Sequence, residues 1–486
     1  MSESVRDLSP TPLWNHFCDL NAVPRPSKRE ARVIEFMRKF GESLQLQTTV
    51  DDVGNVIIRK PASSGMEDRT PIVMQSHLDM VHQKNADTKF DFESQGIDMY
   101  VDDDWVKARG TTLGADNGIG VASIMTILAS DDIEHPAVEG LFTIDEETGM
   151  TGAQGLQGGL LNGKILLNLD TEEDHEITIG CAGGVDVTAR HTYSPEPASD
   201  RASGYRVFVR GLKGGHSGVD IHLGRANANK LMNRLLWGAA RQFDLRLAEI
   251  DGGSLRNAIP RESFALVAIA NDHAKDFEAW IATQAEVIRS EYSTTDPNTE
   301  IGVETITVPN SVVPAQLQRL LLGTIYACPN GIWRMSPEIE GLVQTSNNLA
   351  RVLVKEGEVT IGCLTRGSVN SERDDLADAV AATFELADAT IEHAGKYTGW
   401  KPSPDSAIVK LMSSLYVELF GDEPHVCACH AGLECGILGQ NYPDIQMISF
   451  GPNIYGAHSP DERVQISSVQ KYWGFLLETL KRIPAA

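Results

Sequence analysis

Met74-Gln75-Ser76-His77-Leu78-Asp79, residues 74–79, is the stretch that decides the fold. It leaves the apolar run Ile72-Val73-Met74, which reads as a buried strand, and it sets an imidazole and a carboxylate two residues apart at that strand's exit. The same event recurs along the chain. Glu146 and Glu147 follow the apolar run that ends at Ile144, Asp170 follows Ile165 to Leu169, and His458 lies in the loop after Ile445 to Phe450. Gly118 to Leu128 is apolar and long enough for a buried helix, and Asp116 sits in the turn Gly114-Ala115-Asp116-Asn117-Gly118 that opens it. Buried strands alternating with helices predict an α/β fold, a mixed sheet sandwiched by helices. In open α/β sheets ligands collect beyond the carboxyl ends of the strands, so these exits form the candidate site.

Outside this core, Val56-Ile57-Ile58 reads as a strand, and Ser27-Lys28-Arg29-Glu30 has the spacing of a capping box opening a helix toward Leu44. From about Val185 the texture changes. Tyr205 to Val209 alternates as a strand, Ala226 to Arg241 reads as a helix, Phe264 to Ile269 as a strand and Asp276 to Arg289 as a helix. A similar order recurs from Ile301 to Thr307, through a helix from Pro314, strands near Val343 and at Val359 to Cys363, a helix from Asp374 to Glu385, and Thr390 to His393. The expected plan is a catalytic domain made of residues 1–184 and 399–486, interrupted at 185–398 by an inserted α+β domain of two related halves.

The bulk numbers exclude several classes of partner. A chain of 486 residues is too long for one hydrophobic core. Its 42 basic against 67 acidic residues give a formal charge of −25, which argues against nucleic acid or an anionic membrane, since both want basic patches. Seven cysteines without regular spacing do not read as a disulfide framework. No secretory h-region opens the chain, and no stretch approaches the roughly 18 to 20 apolar residues that span a bilayer. The expectation is a cytoplasmic protein.

Charge decides what the strand exits hold. Asp116, Glu147 and Asp170 would bring three negative charges together, which is costly when they are buried and unpaired. Two divalent cations and a bridging hydroxide close the sum to zero. His with carboxylate suits zinc, cobalt or manganese better than calcium or magnesium, and Asp116 has two oxygens with which to bridge two ions. Asp79, at the exit that carries His77, is placed to orient its imidazole. Glu146 cannot easily share its neighbour's metal and is the candidate general base. A lone His-x-Asp is usually a satisfied pair and a Glu-Glu a solvated helix start. Their joint appearance at strand ends carries the reading.

Ser76-His77-Leu78-Asp79, Gly114 to Gly118, Asp145-Glu146-Glu147-Thr148-Gly149 and His458-Ser459-Pro460-Asp461-Glu462 resemble the co-catalytic di-zinc exopeptidases that include carnosinase and peptidase T. Cys181 to Gly184, Leu212 to Gly218, Arg256 to Glu262 and His430 to Gly436 narrow the likeness to the family's Xaa-His and broad-specificity dipeptidases. The resemblance covers nearly the whole chain. It implies that His77 and Asp170 hold one metal, Glu147 and His458 the other, and that Asp116 bridges them. It implies that Asp79 and Glu146 are the catalytic acids, and that the insert is a lid and dimerisation domain, hence a homodimer. His216 matches a lid histidine that reaches the substrate carbonyl, in its own or the partner subunit's site. Arg366 is the candidate for the substrate carboxylate by a bidentate pair, and Asn257 is a further substrate contact. A cis peptide is implied at Asp116-Asn117. The chain departs from many relatives at Ala431-Gly432-Leu433-Glu434, where Glu434 is a candidate for the substrate amine.

Other features have plainer readings. Gly211 to Gly218 lacks the ending of a phosphate loop and reads as a tight turn. His425, Cys427, Cys429, His430 and Cys435 fit no standard zinc module and read as reduced, partly buried thiols. Glu172-Glu173-Asp174 reads as a solvated turn. The expected function is hydrolysis of dipeptides by a metal-bridged hydroxide, with Glu146 as general base and two divalent ions as cofactor. An N-acyl amino acid deacylase, a carboxypeptidase and a silent metal-binding scaffold stay open as alternatives.

Overall fold

The strand exits meet because their strands lie side by side and point the same way. The structure, a computed structural model, describes residues 4–486. One compact unit runs up to Gly180 and takes in Trp400–Ala428 and Leu433–Ala486. Its eight-stranded sheet has the order Gln47–Val50, Val56–Lys60, Val138–Thr143, Ile72–His77, Ile165–Asn168, Gln446–Ser449, Glu176–Cys181, His425–Cys429. The four strands from Val138–Thr143 to Gln446–Ser449 are parallel. Val138–Thr143, Ile72–His77 and Ile165–Asn168 are buried along their whole length, the pattern of a parallel sheet covered on both faces. His77 pairs with Thr143 and Gln75 with Asn168, so the residues that follow emerge level at one edge of the sheet.

The apolar segment around Ile119 forms the helix Ala115–Ala129, which packs against Ile72–His77. Ile119, Val121, Ile124 and Ile127 are fully buried, each contributing about 1.5–3 kcal/mol by area. The helix starts at Gly114 in a left-handed conformation with φ of 70°, where a Cβ would lie 2.5 Å from the Arg25 guanidinium. Ser27 departs from the capping-box expectation. The helix begins at Ala31, and the Ser27 hydroxyl donates to Asp79 Oδ2 at 2.8 Å. A buried carboxylate is the stronger partner, and water can satisfy an exposed helix end.

The second unit comprises Cys181–Gly399 with Cys429–Gly432. Its sheet runs Glu300–Ile306, Ala202–Arg210, Ser263–Ala270, Arg246–Gly253, Val343–Lys355, Glu358–Gly367, Gly183–Thr192, Thr390–Tyr397, with Gly331–Met335 also paired to Val343–Lys355. All its pairings are antiparallel. The sheet divides into two βαββαβ sets of equivalent strand order. One set starts at Ala202–Arg210 and closes with Glu300–Ile306, and it is inserted after Gly183–Thr192, the first strand of the other. The stretch at Ile301, read from sequence as opening the second half, therefore ends the first. It pairs with Ala202–Arg210, a partner a hundred residues back that local pattern does not reveal.

Candidate metal centre and active site

Asp116 stands between two imidazoles. Its Oδ1 lies 3.0 Å from His77 Nε2 and its Oδ2 lies 3.3 Å from His458 Nε2. Around it are two sets of donors, His77 with Asp116 and Asp170, and His458 with Asp116 and Glu147, each with its ligand atoms within 4.8 Å of one another. His77 Nε2 is 3.6 Å from Asp170 Oδ1, and His458 Nε2 is 3.0 Å from Glu147 Oε2. His77 is buried, the Glu147 and Asp170 side chains are 4% and 7% exposed, and His458 closes the outer side at 56%. The Asp116-Asn117 peptide is cis.

Asp79 ties two strand exits together. Its carboxylate accepts from the backbone N–H groups of Glu146 at 3.0 Å and Glu147 at 3.3 Å and from Ser27, while Oδ1 lies 3.4 Å from His77 Nδ1. It thus orients the imidazole and fixes the loop that carries both glutamates. Glu146 is half-buried at that loop; it is in neither of the Asp116 sets, but its carboxylate groups with His77 and Glu147, with ligand atoms within 4.8 Å of one another.

Electrostatics test whether these residues fit metal ions. Burial alone would lower His77, but Asp170, Asp116 and Asp79 raise it well above the ordinary imidazole range. Hydrogen bonds to Asp116 and Glu147 raise His458 to about 11. Burial pushes Asp170 up to about 7, with the Asp116 and Glu147 charges adding to it against His77. The cluster therefore gathers positive charge wherever it can, and Glu147 Oε1 is buried without a hydrogen-bond partner. Nitrogen and carboxylate donors arranged in two sets around a shared anion fit two divalent cations of the borderline class.

Two residues given no role from sequence build the floor of this site. Glu462 accepts from four successive backbone N–H groups, Leu113 at 2.6 Å, Gly114 at 2.9 Å, Ala115 at 2.7 Å and Asp116 at 3.3 Å. Arg25, 1% exposed, donates to the carbonyls of Leu78 and Asp79 at 3.0 Å and to Gly114 at 2.6 Å. Together they lock the Asp116 turn against the His77 exit. Glu462→Ala is expected to lower unfolding free energy by at least about 2 kcal/mol, because each buried N–H left without a partner costs roughly 1–3 kcal/mol. Urea unfolding measures this, and an unchanged midpoint would remove Glu462 from the role. Glu172 differs from the solvated turn expected of it. It is half-buried, not solvated, and burial pushes its carboxyl up to about 9, helped by Asp116 and Asp170.

The sequence profile of Peptidase family M20/M25/M40 matches residues 73–482. The chain belongs to this peptidase family. It is 43% identical over 485 residues to the cytosol non-specific dipeptidase of Escherichia coli strain K12, across 100% of both chains. The crystal structure of aminoacylhistidine dipeptidase from Vibrio alginolyticus matches with a TM-score of 0.94 at 42% identity, covering 100% of this chain and 99% of that one. Aminopeptidase PepT from Bacillus cereus shares the fold at a TM-score of 0.58 and 16% identity, over 98% of this chain and 99% of its own.

The remaining candidate contacts of this M20/M25/M40 chain divide between the units. In the second unit the structure brings His216, Arg366 and Asn257 together. Arg366 is 4% exposed and donates to the Tyr397 hydroxyl at 2.8 Å and to Ser217 Oγ at 3.3 Å, with His216 Nε2 at 3.4 Å. His216 Nδ1 accepts from the N–H groups of Gly218 and Val219, which leaves the ring proton to Nε2. Burial and the Arg366 charge push its pKa down to about 4, so it is neutral at pH 7. Ser217 N–H donates to the Asn257 carbonyl at 2.7 Å, while Asn257 itself is exposed. In the first unit, Glu434 is fully buried and accepts from Gln75 and Thr143, both at 2.6 Å. Burial raises it to about 8. Cys435 is buried one residue on, in the same helix, while His430 bonds Ser346 in the second unit at 2.8 Å. His425 pairs with Glu176 at 3.0 Å.

Proposed function

We propose that this chain is a metal-dependent dipeptidase that hydrolyses Xaa-His and other dipeptides. The observation that carries the proposal is the Asp116 carboxylate set between two His-carboxylate groups in a chain of the M20/M25/M40 family. Full-length identity of 43% to a non-specific dipeptidase supports the substrate class. His77 and Asp170 would hold one ion, Glu147 and His458 the other, and Asp116 both, with zinc first among zinc, cobalt and manganese. Bound there, the ions would polarise the scissile carbonyl and acidify water.

The residues do the rest. Glu146 takes a proton from the attacking water and delivers it to the leaving amine. Burial, with the neighbouring Asp170, Glu434 and Glu147 carboxylates, raises its proton affinity, which suits a group that must accept a proton near neutral pH. Asp79 holds His77 and the Glu146 loop. Arg366, whose acceptors Tyr397 and Ser217 are both neutral, is free to take the substrate's carboxylate as a bidentate pair. His216, neutral with its proton on Nε2, donates to the substrate carbonyl as charge develops there. We also propose a homodimer through the second unit, in the cytoplasm. Ile332, Trp333 and Met335 are exposed together on Gly331–Met335, and no helix among the described residues is long and apolar enough to cross a membrane.

A panel of dipeptides, tripeptides and N-acyl amino acids, with and without chelator, tests the function. Chelator-sensitive turnover confined to dipeptides is expected. Turnover of N-acyl amino acids or longer peptides instead would favour a deacylase or carboxypeptidase, and none at all a silent scaffold. His216→Ala should lower kcat about 10²–10³-fold with little change in Tm, the effect of losing one donor to the developing oxyanion. An unchanged kcat would return His216 to a purely structural role.

A further inference from the structure

One cluster of metal-binding side chains shares no residue with the seven of the centre and holds two histidines. His175 directly precedes the strand Glu176–Cys181, and His425 opens its neighbour His425–Cys429 at the end of the eight-stranded sheet. The His425 N–H donates to the His175 carbonyl at 2.8 Å, so the backbone itself fixes the two histidines side by side. Their rings stack with centroids 6.2 Å apart and planes 19° from parallel. Glu176 Oε1 lies 3.0 Å from His425 Nδ1, and Glu173 Oε2 lies 3.9 Å from His175 Nδ1. His175, Glu176 and His425 each offer one ligand atom, and all three atoms lie within 4.8 Å of one another.

We propose that His175, Glu176 and His425 form a further binding site for a divalent transition metal, with zinc the preferred ion. Two imidazoles and a carboxylate are the donor set of an open zinc site whose fourth position belongs to water. Nickel and copper ions fit imidazole as well, whereas calcium and magnesium do not. The donors are held by paired backbone, which reduces the ordering that binding demands. Glu173, 3.9 Å from His175 Nδ1, adds negative charge beside the site, which raises the local concentration of cations. The His175 and His425 side chains are 56% and 61% exposed, so an ion reaches them directly from solvent. An ion here staples the last two strands of the sheet and braces the turn that leads on from Asp170. The site's role is structural, since none of its donors belongs to the proposed centre.

Zinc titration of the whole protein, followed by calorimetry, is the test. Three proteins are compared: wild type, the double variant His175→Ala with His425→Ala, and Glu176→Gln, which keeps both imidazoles. The proposal expects wild type to bind one more equivalent of zinc than the double variant, however many ions the main centre takes. It expects that last equivalent to bind at least tenfold more weakly in Glu176→Gln. It also expects zinc beyond the main centre's content to raise Tm in wild type and not in the double variant. Equal zinc stoichiometry in wild type and double variant, or an unchanged affinity in Glu176→Gln, would reduce the cluster to a surface His–Glu ion pair and overturn the proposal.

Discussion

Glu146→Ala is expected to keep the metal content of wild type while kcat for dipeptides falls by about 10²–10⁴-fold, the contribution of a well-placed general base. The separation of the two effects follows from the geometry. Glu146 lies beside His77 and Glu147 but outside both donor sets that share Asp116, each of which is complete without it, and its backbone N–H, not its side chain, is what Asp79 holds at 3.0 Å. Truncation therefore removes a proton acceptor and leaves the frame. Glu146→Gln, of the same shape but unable to take a proton, should lose as much, whereas Glu146→Asp should retain part of the rate. Steady-state kinetics beside elemental analysis of each variant decides it. Wild-type kcat in Glu146→Ala would assign the proton transfer to another group.

Asp116→Ala should remove both metal and turnover. Each imidazole of the centre has one Asp116 oxygen as a partner, at 3.0 Å for His77 and 3.3 Å for His458. Without that carboxylate the two donor sets no longer share an anion, and each keeps one imidazole and one carboxylate. Elemental analysis is expected to find fewer than two ions per chain. Losing several kcal/mol of charge stabilisation, at 1.36 kcal/mol per decade, corresponds to a fall of at least about 10³-fold in kcat. Circular dichroism separates this from unfolding, since the Asp116 turn remains held through backbone N–H groups by Glu462. A variant with full metal content and full turnover would contradict the bridging role.

What could be read beforehand followed from burial. A parallel strand covered on both faces must be written as an apolar run, so Ile72-Val73-Met74 and Ile165 to Leu169 announce themselves, and the polar residues that end them mark the exits. Charge balance then pointed to cations at Asp116, Glu147 and Asp170. Pairings across long stretches of chain were not legible. Nothing near Glu462 signals that it caps the N–H groups of residues 113 to 116, and Arg25 lies in a segment with no periodic pattern. Ser27 misled for a related reason, since its spacing to Glu30 suits a helix cap but a buried carboxylate from another strand claims its hydroxyl. The halves of the insert were phased wrongly because Glu300–Ile306 finds its partner on the far side of two helices in sequence. Nor does the spacing near residue 430 show that His425 lies on a strand beside His175 or that His430 bonds Ser346.

Anomalous X-ray diffraction from zinc-loaded crystals tests the central claim most directly. Two peaks about 3.5–4 Å apart, one beside each oxygen of Asp116 and flanked by His77 with Asp170 and by Glu147 with His458, are the predicted result. A single peak, or two peaks that leave Asp116 without an ion on either side, would contradict it.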